Sequence, residues 1–575
     1  MPFFAYPAAV CAAAAIAVRL VVGHSGLERN PLLLNLTLDS KYYVEWAREI
    51  AGGDWTSAHG IVAGSPFILN PLYAYVIAPI AGLAADPVRP ILLFQAFLAA
   101  ATTALAAVAA RRFFGLTAAW TAGLAVAFST ALVQLDTHVA VSGLAAFLTA
   151  GAVFASAPPR VGAPAGGHGA VAAGLWLGIG ALARPITPIA LPFFAWNLWK
   201  SATSRRFAGV AVLVAVFASC ALPSLFRNWA VAGDPIVYTS ASGLNLHIGN
   251  NPESRKFRTM VSPWTQFEPK EMHRDAWRYV VFKSGGDPTP SEVSSYFTRM
   301  AIDEFIRSPG ASVVFYAQKA RWFFAPVEVP STASLANDLR FTPLLRLAFV
   351  PTWLLAAAGL VGAILHRRRR DVICGPGALV FAHIVVLTLV FPISHYRSPA
   401  IAALAVLAGG AVAAAVDAWR SGARRTMWWI AAAVAATALA GACPPQPDRC
   451  KHADAMLLAF DSRERGRYDE AVAYVYEAMG EFRAISPESP EFVPGLRFLG
   501  ELEGRRGNYP AALVALGRVL TRQPDDWPAR LLRSKVAQDA GDYGLAQSDA
   551  RWVVEHFPEL PQGRKRLEEL QQRRR

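Results

Sequence analysis

The amino-acid sequence is dominated by eleven apolar stretches that alternate with short clusters of Lys and Arg. A stretch of about 20 apolar residues can cross the hydrocarbon core of a bilayer as a helix. Only 17% of the 575 residues are charged and 54% are hydrophobic, whereas soluble domains carry about 25% charged residues. The chain is therefore predicted to be a mainly α, polytopic membrane helical bundle. The stretches lie near residues 4–22, 90–110, 114–133, 138–157, 169–183, 186–199, 207–226, 343–366, 372–392, 399–418 and 426–442.

The basic clusters predict how these spans are oriented, because short loops rich in Lys and Arg stay in the cytoplasm. The net charge of +14 is concentrated in these clusters, which argues against nucleic-acid binding. The opposite, external side then receives residues 23–89, the loop 227–342 and everything after residue 442. Five clusters fall on the cytoplasmic side: Arg111-Arg112, Arg160, Lys200 with Arg205-Arg206, Arg367 to Arg370, and Arg420 with Arg424-Arg425.

The apolar segment at residues 67–85 does not fit the series of spans. As a full span it would invert every later helix and move the basic clusters outside. Because Pro71 and Pro79 interrupt the segment, we interpret it as an external juxtamembrane or re-entrant element.

The chain turns hydrophilic and Ala-rich after residue 450, where an internal repeat appears. Residues 506–524 realign with residues 540–558 at a spacing of 34, and Gly507 matches Gly541. An earlier copy begins at residue 465, and an insertion lengthens its interval to 41. This period, with Gly-x-Tyr turns and a terminal proline, resembles the tetratricopeptide repeat, in which stacked helix pairs bury a shared core. The array is expected to bind a protein or peptide partner.

The domain boundaries follow from this change in composition. We predict a membrane domain over residues 1–442, a linker over 443–450 and a tetratricopeptide-like repeat domain over 451–575. Cys443 and Cys450 bracket the linker. On an oxidising side of the membrane these two residues favour a disulfide, and two free thiols are the alternative.

An acidic and aromatic segment, LDSKYYVEWAREIAGGDW, begins at Leu38 in the first external loop. A carboxylate close behind a hydrophobic span is costly to hold and usually has a function. On a helix, Asp39, Tyr43 and Trp46 would share one face. Asp39 is the candidate for catalysis, and an N-cap of the following helix is the alternative for that residue.

This segment, together with the SPFILNPLYAYVIA that follows it, resembles the first external loop of GT-C glycosyltransferases. That superfamily includes the protein O-mannosyltransferases and the aminoarabinose transferase of lipid A. Many members carry a second acid near the first, whereas here Ser40 follows Asp39. The resemblance extends over about residues 1–420. Its further parts are LDTHVAVSG with Asp136, GIGALARPITPI with Arg184, the Asn-rich segment that begins at Arg227, and FPISHYRSPA with Arg397.

The resemblance implies an integral-membrane glycosyltransferase that moves a sugar, with inversion, from a polyprenyl-phosphate donor to an envelope acceptor. It also implies a multi-pass protein of the inner (cytoplasmic) membrane, with the reaction and the repeats on the periplasmic side. Asp39 would be the general base, and cations would hold the leaving lipid phosphate. The candidate substrate-binding residues are Tyr43, Asp136, Arg184, Arg227, Asn245, Asn250, His395, Tyr396 and Arg397.

Other interpretations stay open at this point. Arg184 and Arg397 lie at helix ends, where arginine commonly extends to the interface, and asparagines beside glycines commonly form turns. Asp136 could cap a helix or help to bind a divalent cation, although two carboxylates are a weak metal signal and no other cofactor is predicted. The alternative functions are a catalytically silent membrane scaffold that recruits envelope proteins, and a transporter of lipid-linked sugars.

Overall fold

The structure is a computed structural model that divides into two compact units. The first unit comprises Met1–Asn245 and Phe305–Gln446, and the second comprises Leu246–Glu304 and Pro447–Arg575. Cys443 and Cys450 lie outside the described residues. The residues described are 6–34, 36, 38–57, 64–158, 168–201, 206–257, 269–329, 334–442, 451–485, 493–558 and 561–572.

Helices follow one another along the whole described chain, which confirms the mainly α prediction. An isolated β-bridge joins Ser129 to Val350. The helices up to the long loop are α1 (Pro7–Arg29), α2 (Pro31–Leu34), α3 (Leu38–Ala51), α4 (Leu72–Leu83), α5 (Val88–Phe114), α6 (Leu116–Ala127), α7 (Thr130–Asp136), α8 (Ser142–Ser156), α9 (His168–Ala183), α10 (Leu191–Ser201) and α11 (Arg206–Ala232). The loop itself contains α12 (Ser242–Gly249), α13 (Pro252–Phe257), α14 (Pro269–Ser284) and α15 (Pro290–Arg307). The next helices are α16 (Pro309–Trp322), α17 (Leu335–Phe341), α18 (Thr352–Leu365), α19 (Arg370–Val372), α20 (Ala378–Leu389), α21 (Ser394–Arg397), α22 (Ile401–Arg420) and α23 (Arg424–Ala442).

Among the described residues, five helical segments are long and apolar enough to cross a membrane. Each of them overlaps a predicted span, and shorter apolar helices, α6, α8, α9 and α18, overlap four more. The protein is thus a multi-pass membrane protein, and the total of eleven spans stays a prediction. The five segments are Pro7–Arg29, Val88–Phe114, Arg206–Ala232, Arg370–Leu389 and Ser394–Arg420.

The segment that the sequence set apart from the spans forms the short helix α4. Its 12 residues are about 18 Å long, which is less than the roughly 30 Å of a bilayer core. Pro71 precedes the helix and Pro79 lies inside it. Its residues Tyr73, Ala74 and Ile77 are fully buried in a core shared with α3. The apolar face of α4 is therefore buried against α3.

Hydrogen bonds bring three of the basic clusters to the same end of the bundle. The Nη1 of Arg369 donates to the carbonyl oxygen of Phe113, at the end of α5, over 2.7 Å. The Nη2 of Arg370 donates to the hydroxyl of Ser201, at the end of α10, over 3.3 Å. These contacts confirm that the clusters beside α5, α10 and α19 share one end. That this end faces the cytoplasm stays a prediction.

Small residues allow the central helix α22 to lie close to its neighbours. A Cβ added to Gly362 of α18 would approach the carbonyl oxygen of Leu407 to 2.0 Å, and one added to Gly409 would approach the backbone of Ala118 to 2.8 Å. Such close helix approach is the usual means of packing helices in a membrane. It fixes α22, and with it the residues that directly precede its N-terminal end.

The second unit contains helix pairs joined by turns of the same geometry. Gly466, Gly507 and Gly541 have φ angles of 70°, 81° and 84°. In each turn the residue after the glycine donates its N–H to the carbonyl five residues earlier, over 2.8, 2.9 and 2.8 Å. This is the Schellman ending of a helix, for which glycine is favoured, and its recurrence confirms the predicted phase of the repeats. The repeat helices are α24 (Lys451–Glu464), α25 (Tyr468–Ile485), α26 (Val493–Arg505), α27 (Tyr509–Arg522), α28 (Trp527–Asp539), α29 (Tyr543–His556) and α30 (Pro561–Gln572).

The second unit also includes residues 246–304, which form part of the predicted external loop. Phe282 of α14 packs against a cluster made by Trp527, Val553 and Phe557 of the repeats. Burial of aromatic side chains makes the largest favourable contribution to the free energy of such a contact. This part of the loop therefore folds together with the repeats.

Candidate active site

Asp39 lies in the first turn of α3, which begins at Leu38. Leu38 has a positive φ of 49°, a conformation that costs a non-glycine residue about 1–2 kcal/mol and that is found preferentially at functional sites. Asp39 is half-buried. Its carboxylate accepts no hydrogen bond from the residues that the structure describes. The residue lies inside the helix, so an N-cap role does not describe its position.

The environment of Asp39 changes its acidity. Burial raises the pKa of the Asp39 carboxyl from 3.8 to about 6, although the positive charge of Arg184 acts to lower that pKa. Desolvation disfavours the charged form of a carboxyl, and a nearby cation favours it. Here burial raises the pKa of Asp39 by more than Arg184 lowers it. Asp39 is thus a carboxylate at neutral pH with a much higher proton affinity than an exposed aspartate.

An aromatic wall supports Asp39 from the next turns of α3. Tyr43 and Trp46 are both buried and stack with ring centroids 6.3 Å apart, which confirms that they share a face. Tyr73 of α4 meets Tyr43 edge to face at 5.1 Å. Burial, followed by the charge of Asp39, raises the pKa of the Tyr43 hydroxyl. Tyr43 therefore stays protonated and can donate a hydrogen bond.

Arg184 is the cation of this site and directly follows α9. It is only 6% exposed, and its Nε is buried without a hydrogen-bond partner in the described part of the chain. Its guanidinium lies 4.8 Å from the ring centroid of Tyr396. A buried guanidinium without a paired anion is costly, which is typical of a binding group. Arg184 lies within electrostatic range of Asp39, Tyr43, His395 and Tyr396.

The structure therefore brings five of the predicted site residues together. Asp39 and Tyr43 come from α3, Arg184 from the end of α9, and His395 with Tyr396 from α21. The rings of His395 and Tyr396 have centroids 5.0 Å apart. Because α21 directly precedes the tightly packed α22, the position of this pair is fixed by the core of the bundle.

A second layer of buried polar groups holds the aromatic wall. The hydroxyl of Tyr73 donates to Oε1 of Gln95 over 2.5 Å. The Nε2 of Gln95 donates to the backbone carbonyl oxygens of Asp136 and His138 over 2.7 and 2.8 Å. The Asp136 carboxylate itself pairs with Arg19 of α1, with Nε and Oδ2 2.7 Å apart. The Asp136 carboxylate thus contacts α1. Its backbone carbonyl accepts a hydrogen bond from Gln95, which in turn accepts one from Tyr73.

Arg397 makes several hydrogen bonds to the protein itself. It donates to the carbonyl oxygens of Trp322 at 3.1 Å, Ala325 at 2.8 Å and Val327 at 3.1 Å. It also pairs with Glu328, whose Oε1 lies 2.6 Å from Nη2. In this position Arg397 braces the chain that follows α16. Its predicted contact with a phosphate stays a prediction.

Arg227 likewise makes contacts that hold the loop after α3. Its guanidinium donates to the carbonyl oxygens of Thr56 at 2.6 Å, Ser57 at 2.7 Å and Ser65 at 2.9 Å. It also lies 4.1 Å from the ring centroid of Phe67. Phe67 packs on Trp46 with ring centroids 5.3 Å apart. Arg227 therefore links α11 to the loop that follows α3.

The two candidate asparagines make local contacts. Asn245 belongs to the first unit, where its backbone N–H donates to the carbonyl of Ala241 over 2.9 Å. Asn250 belongs to the second unit, and its side-chain amide donates to the carbonyl of Leu246 over 2.6 Å. The Asn245 contact belongs to the first turn of α12, and the Asn250 contact is a local side-chain-to-backbone bond of the kind that ends a helix.

The residues around Asp39 do not form a metal site. Within the described ranges, no three His, Cys, Asp or Glu side chains gather as they would around a metal ion. The second predicted acid, Asp136, has its carboxylate on Arg19. The Asp136 carboxylate is thus committed to Arg19, and a divalent cation stays a prediction.

Three supporting residues were not identified from the sequence alone: Arg19, Tyr73 and Gln95. Arg19 and Gln95 are polar residues within apolar stretches, and a polar residue at membrane depth is itself a functional signal. Tyr73 lies in the Pro-Leu-Tyr part of the family resemblance. Their partners are not recognisable from spacing, because Arg19 and Asp136 are separated by 117 residues.

No protein-family model and no curated protein sequence matches this chain. Among solved structures, the chain is similar to the apo oligosaccharyltransferase of Archaeoglobus fulgidus over 80% of its own length and 59% of that protein, at 14% identity and a TM-score of 0.39. It is similar to ArnT of Cupriavidus metallidurans bound to undecaprenyl phosphate over 70% of its length and 78% of that protein, at 16% identity and a TM-score of 0.31. Similarity to the TPR domain of P58(IPK) covers 93% of that domain, at 14% identity and a TM-score of 0.21. These similarities are too distant to carry an argument about function.

Proposed function

We propose that the protein is an integral-membrane glycosyltransferase that moves a sugar from a polyprenyl-phosphate donor to an acceptor hydroxyl, with inversion, at the periplasmic face of the inner membrane. The observation that carries this proposal is that Asp39 and Arg184 lie within electrostatic range of each other. The Asp39 carboxyl has a pKa of about 6. The guanidinium of Arg184 is buried, and its Nε donates no hydrogen bond to any residue that the structure describes.

Asp39 supplies the base. The acceptor hydroxyl loses its proton to the Asp39 carboxylate as the acceptor oxygen attacks the anomeric carbon. The bond between that carbon and the donor phosphate oxygen breaks, and its electrons leave with the phosphate. A pKa of about 6 lets Asp39 stay ionised at neutral pH and still accept a proton effectively, which is the compromise that general-base catalysis favours.

Arg184 and its neighbours serve the leaving group. The negative charge on the departing lipid phosphate increases as the bond breaks, and a fixed cation in a water-poor site stabilises that charge. Contact with the Tyr396 ring holds the plane of the guanidinium, which leaves its edge for a phosphate oxygen. The Tyr43 hydroxyl would exchange its long hydrogen bond of 3.4 Å to the carbonyl oxygen of Asn70 for one to the phosphate. The repeats are proposed to bind a protein or peptide on the periplasmic side.

The experiment is sugar transfer by purified protein reconstituted in lipid vesicles, with a polyprenyl-phosphate sugar as donor. Asp39→Asn is expected to lower kcat by about 10²–10⁴-fold, the range of a lost general base, without weakening binding of the polyprenyl phosphate. Glu45→Gln is the matched control, because Glu45 is an exposed acid on the same helix. It removes the same charge and is expected to keep wild-type activity.

Arg184→Gln is expected to weaken polyprenyl-phosphate binding and to lower kcat, because it removes the cation that stabilises the leaving phosphate. Arg89→Gln removes an exposed arginine and serves as its control. Full transfer activity in Asp39→Asn would exclude Asp39 as the base. Equal loss in Asp39→Asn and Glu45→Gln would indicate a general effect of charge rather than catalysis.

A further inference from the structure

Helix α14 and the last repeats enclose a cleft in the second unit. Its volume is about 310 Å³, which is at the small end of the range of ligand pockets, about 300–1,000 Å³. The ring centroids of Phe282 in α14 and Phe557 lie 4.3 Å apart. The guanidinium of Arg278 lies 5.0 Å from the ring centroid of Trp527. These contacts fix α14 against the repeats and give the cleft a defined shape.

Four of the residues that line the cleft are aromatic. Trp527 and Phe557 are buried in the repeat core and form its floor, whereas Tyr279 and Phe282 are half-buried on its α14 side. Rings that are held in place by a core offer apolar area with little loss of conformational entropy on binding. A ligand of this cleft must therefore present an apolar face.

Gln523 and Asp525 are two of the residues that bring oxygen acceptors to the same cleft. The Oε1 of Gln523 is buried and accepts no hydrogen bond from the residues that the structure describes. Asp525 is exposed and lies within electrostatic range of Tyr279. A buried acceptor without a donor is unfavourable, and a ligand that donates a hydrogen bond removes that cost. The ligand must therefore also carry hydrogen-bond donors.

The charges around the cleft disfavour a charged ligand. The Nζ of Lys283 lies 5.1 and 5.6 Å from the ring centroids of Phe282 and Tyr279, and this cation repels a second one at the same wall. The carboxylates of Asp275, Asp525 and Asp526 line the cleft as well, and they repel an anion. What remains is a neutral molecule with one apolar face and several hydroxyl donors.

We infer that this cleft binds a neutral saccharide unit of a glycan. The C–H face of a sugar ring would lie against Tyr279 and Phe282, and its hydroxyls would donate to Gln523 and Asp525. The inference goes beyond the proposed transfer, because it concerns binding at a surface shared by the external loop and the repeats. It requires neither a donor nor an active Asp39.

Binding is measured by saturation-transfer NMR and titration calorimetry on the full-length protein in lipid nanodiscs. Nanodiscs replace glycosidic detergents, whose sugar headgroups would compete. The probes are cellobiose, mannobiose and N,N′-diacetylchitobiose, with choline and inorganic phosphate as charged comparisons. At least one disaccharide is expected to bind with a Kd of about 1 mM or tighter, and neither charged probe is expected to bind.

The variants Gln523→Leu and Asp525→Asn each remove one acceptor and are expected to weaken saccharide binding about five- to tenfold. Glu477→Gln removes an exposed carboxylate of α25, outside the cleft, and is expected to bind like wild type. Equal thermal midpoints of all three variants would show that folding is unchanged. Asp525→Asn alone decides the question if Gln523→Leu fails to fold, because Asp525 is exposed.

The inference is overturned if none of the disaccharides binds, if choline or phosphate binds in their place, or if the two cleft variants bind as tightly as Glu477→Gln. Asp39→Asn separates this inference from the proposed transfer. That variant is expected to keep saccharide binding while it loses sugar transfer. A wild-type protein that binds the saccharide but transfers no sugar therefore counts against the proposed enzyme and not against the cleft.

Discussion

Replacement of Asp39 by Asn should stabilise the protein at neutral pH, because the fold raises the pKa of this carboxyl from 3.8 to about 6. One pKa unit corresponds to about 1.36 kcal/mol, so an ionised Asp39 costs the folded state about 3 kcal/mol. A group with a raised folded pKa gives stability that is fully present below pH 3.8 and is lost as pH rises through about 6. About 2 kcal/mol of the difference should develop between roughly pH 4.5 and 7.5.

The measurement is the thermal unfolding midpoint of wild type, Asp39→Asn and Glu45→Gln in the same lipid nanodiscs across that pH range. At about pH 7.5 the midpoint of Asp39→Asn is expected to lie roughly 5 °C above wild type, and the gap should narrow in acid. Glu45→Gln should follow wild type, since Glu45 is exposed. A gap that does not depend on pH, or a less stable Asp39→Asn at neutral pH, would refute the reasoning.

Three other outcomes are expected. Arg184→Gln should raise the pKa of Asp39 further, because Arg184 lowers it, and the acid limb of kcat/KM should move upward by about one pH unit. Asp136→Asn should cost about 3–5 kcal/mol, since it leaves buried Arg19 without its partner, and Arg19→Met in the same chain should recover much of the lost thermal midpoint. Arg227→Lys should release the loop after α3, which the Arg227 guanidinium holds through three carbonyl oxygens. Limited proteolysis should therefore cut this loop faster than in wild type, and unchanged cleavage would contradict the expectation.

Much of the fold could be predicted because it depends on neighbours along the chain. The apolar stretches became helices at the predicted places, and the turns at Gly507 and Gly541 have the same backbone geometry, as their 34-residue spacing required. The predicted face of α3 is also local, because Tyr43 and Trp46 are less than one turn apart and both are buried. Such features follow from helical periodicity and from the φ angles that glycine permits.

The roles of the arginines could not be predicted in the same way. Arg184 and Arg397 both follow or precede apolar helices and look alike in the sequence. The structure gives Arg397 carbonyl and carboxylate partners from residues 322–328, whereas the Nε of Arg184 has none in the described chain. Which guanidinium is available to a ligand depends on the path of a segment about 70 residues away.

The sequence by itself determined that the protein lies in a membrane, where its helices run and at what spacing its repeats recur. These properties depend on hydrophobic runs, basic clusters and turn glycines, which are features of neighbouring residues in the chain. Tertiary structure decided that Asp39, Tyr43, Arg184 and Tyr396 meet, that Asp136 pairs with Arg19, and that α14 folds with the repeats. Those contacts join residues far apart in the chain. Only the packing of whole helices, through burial of their apolar faces, sets which distant polar groups come within reach of one another.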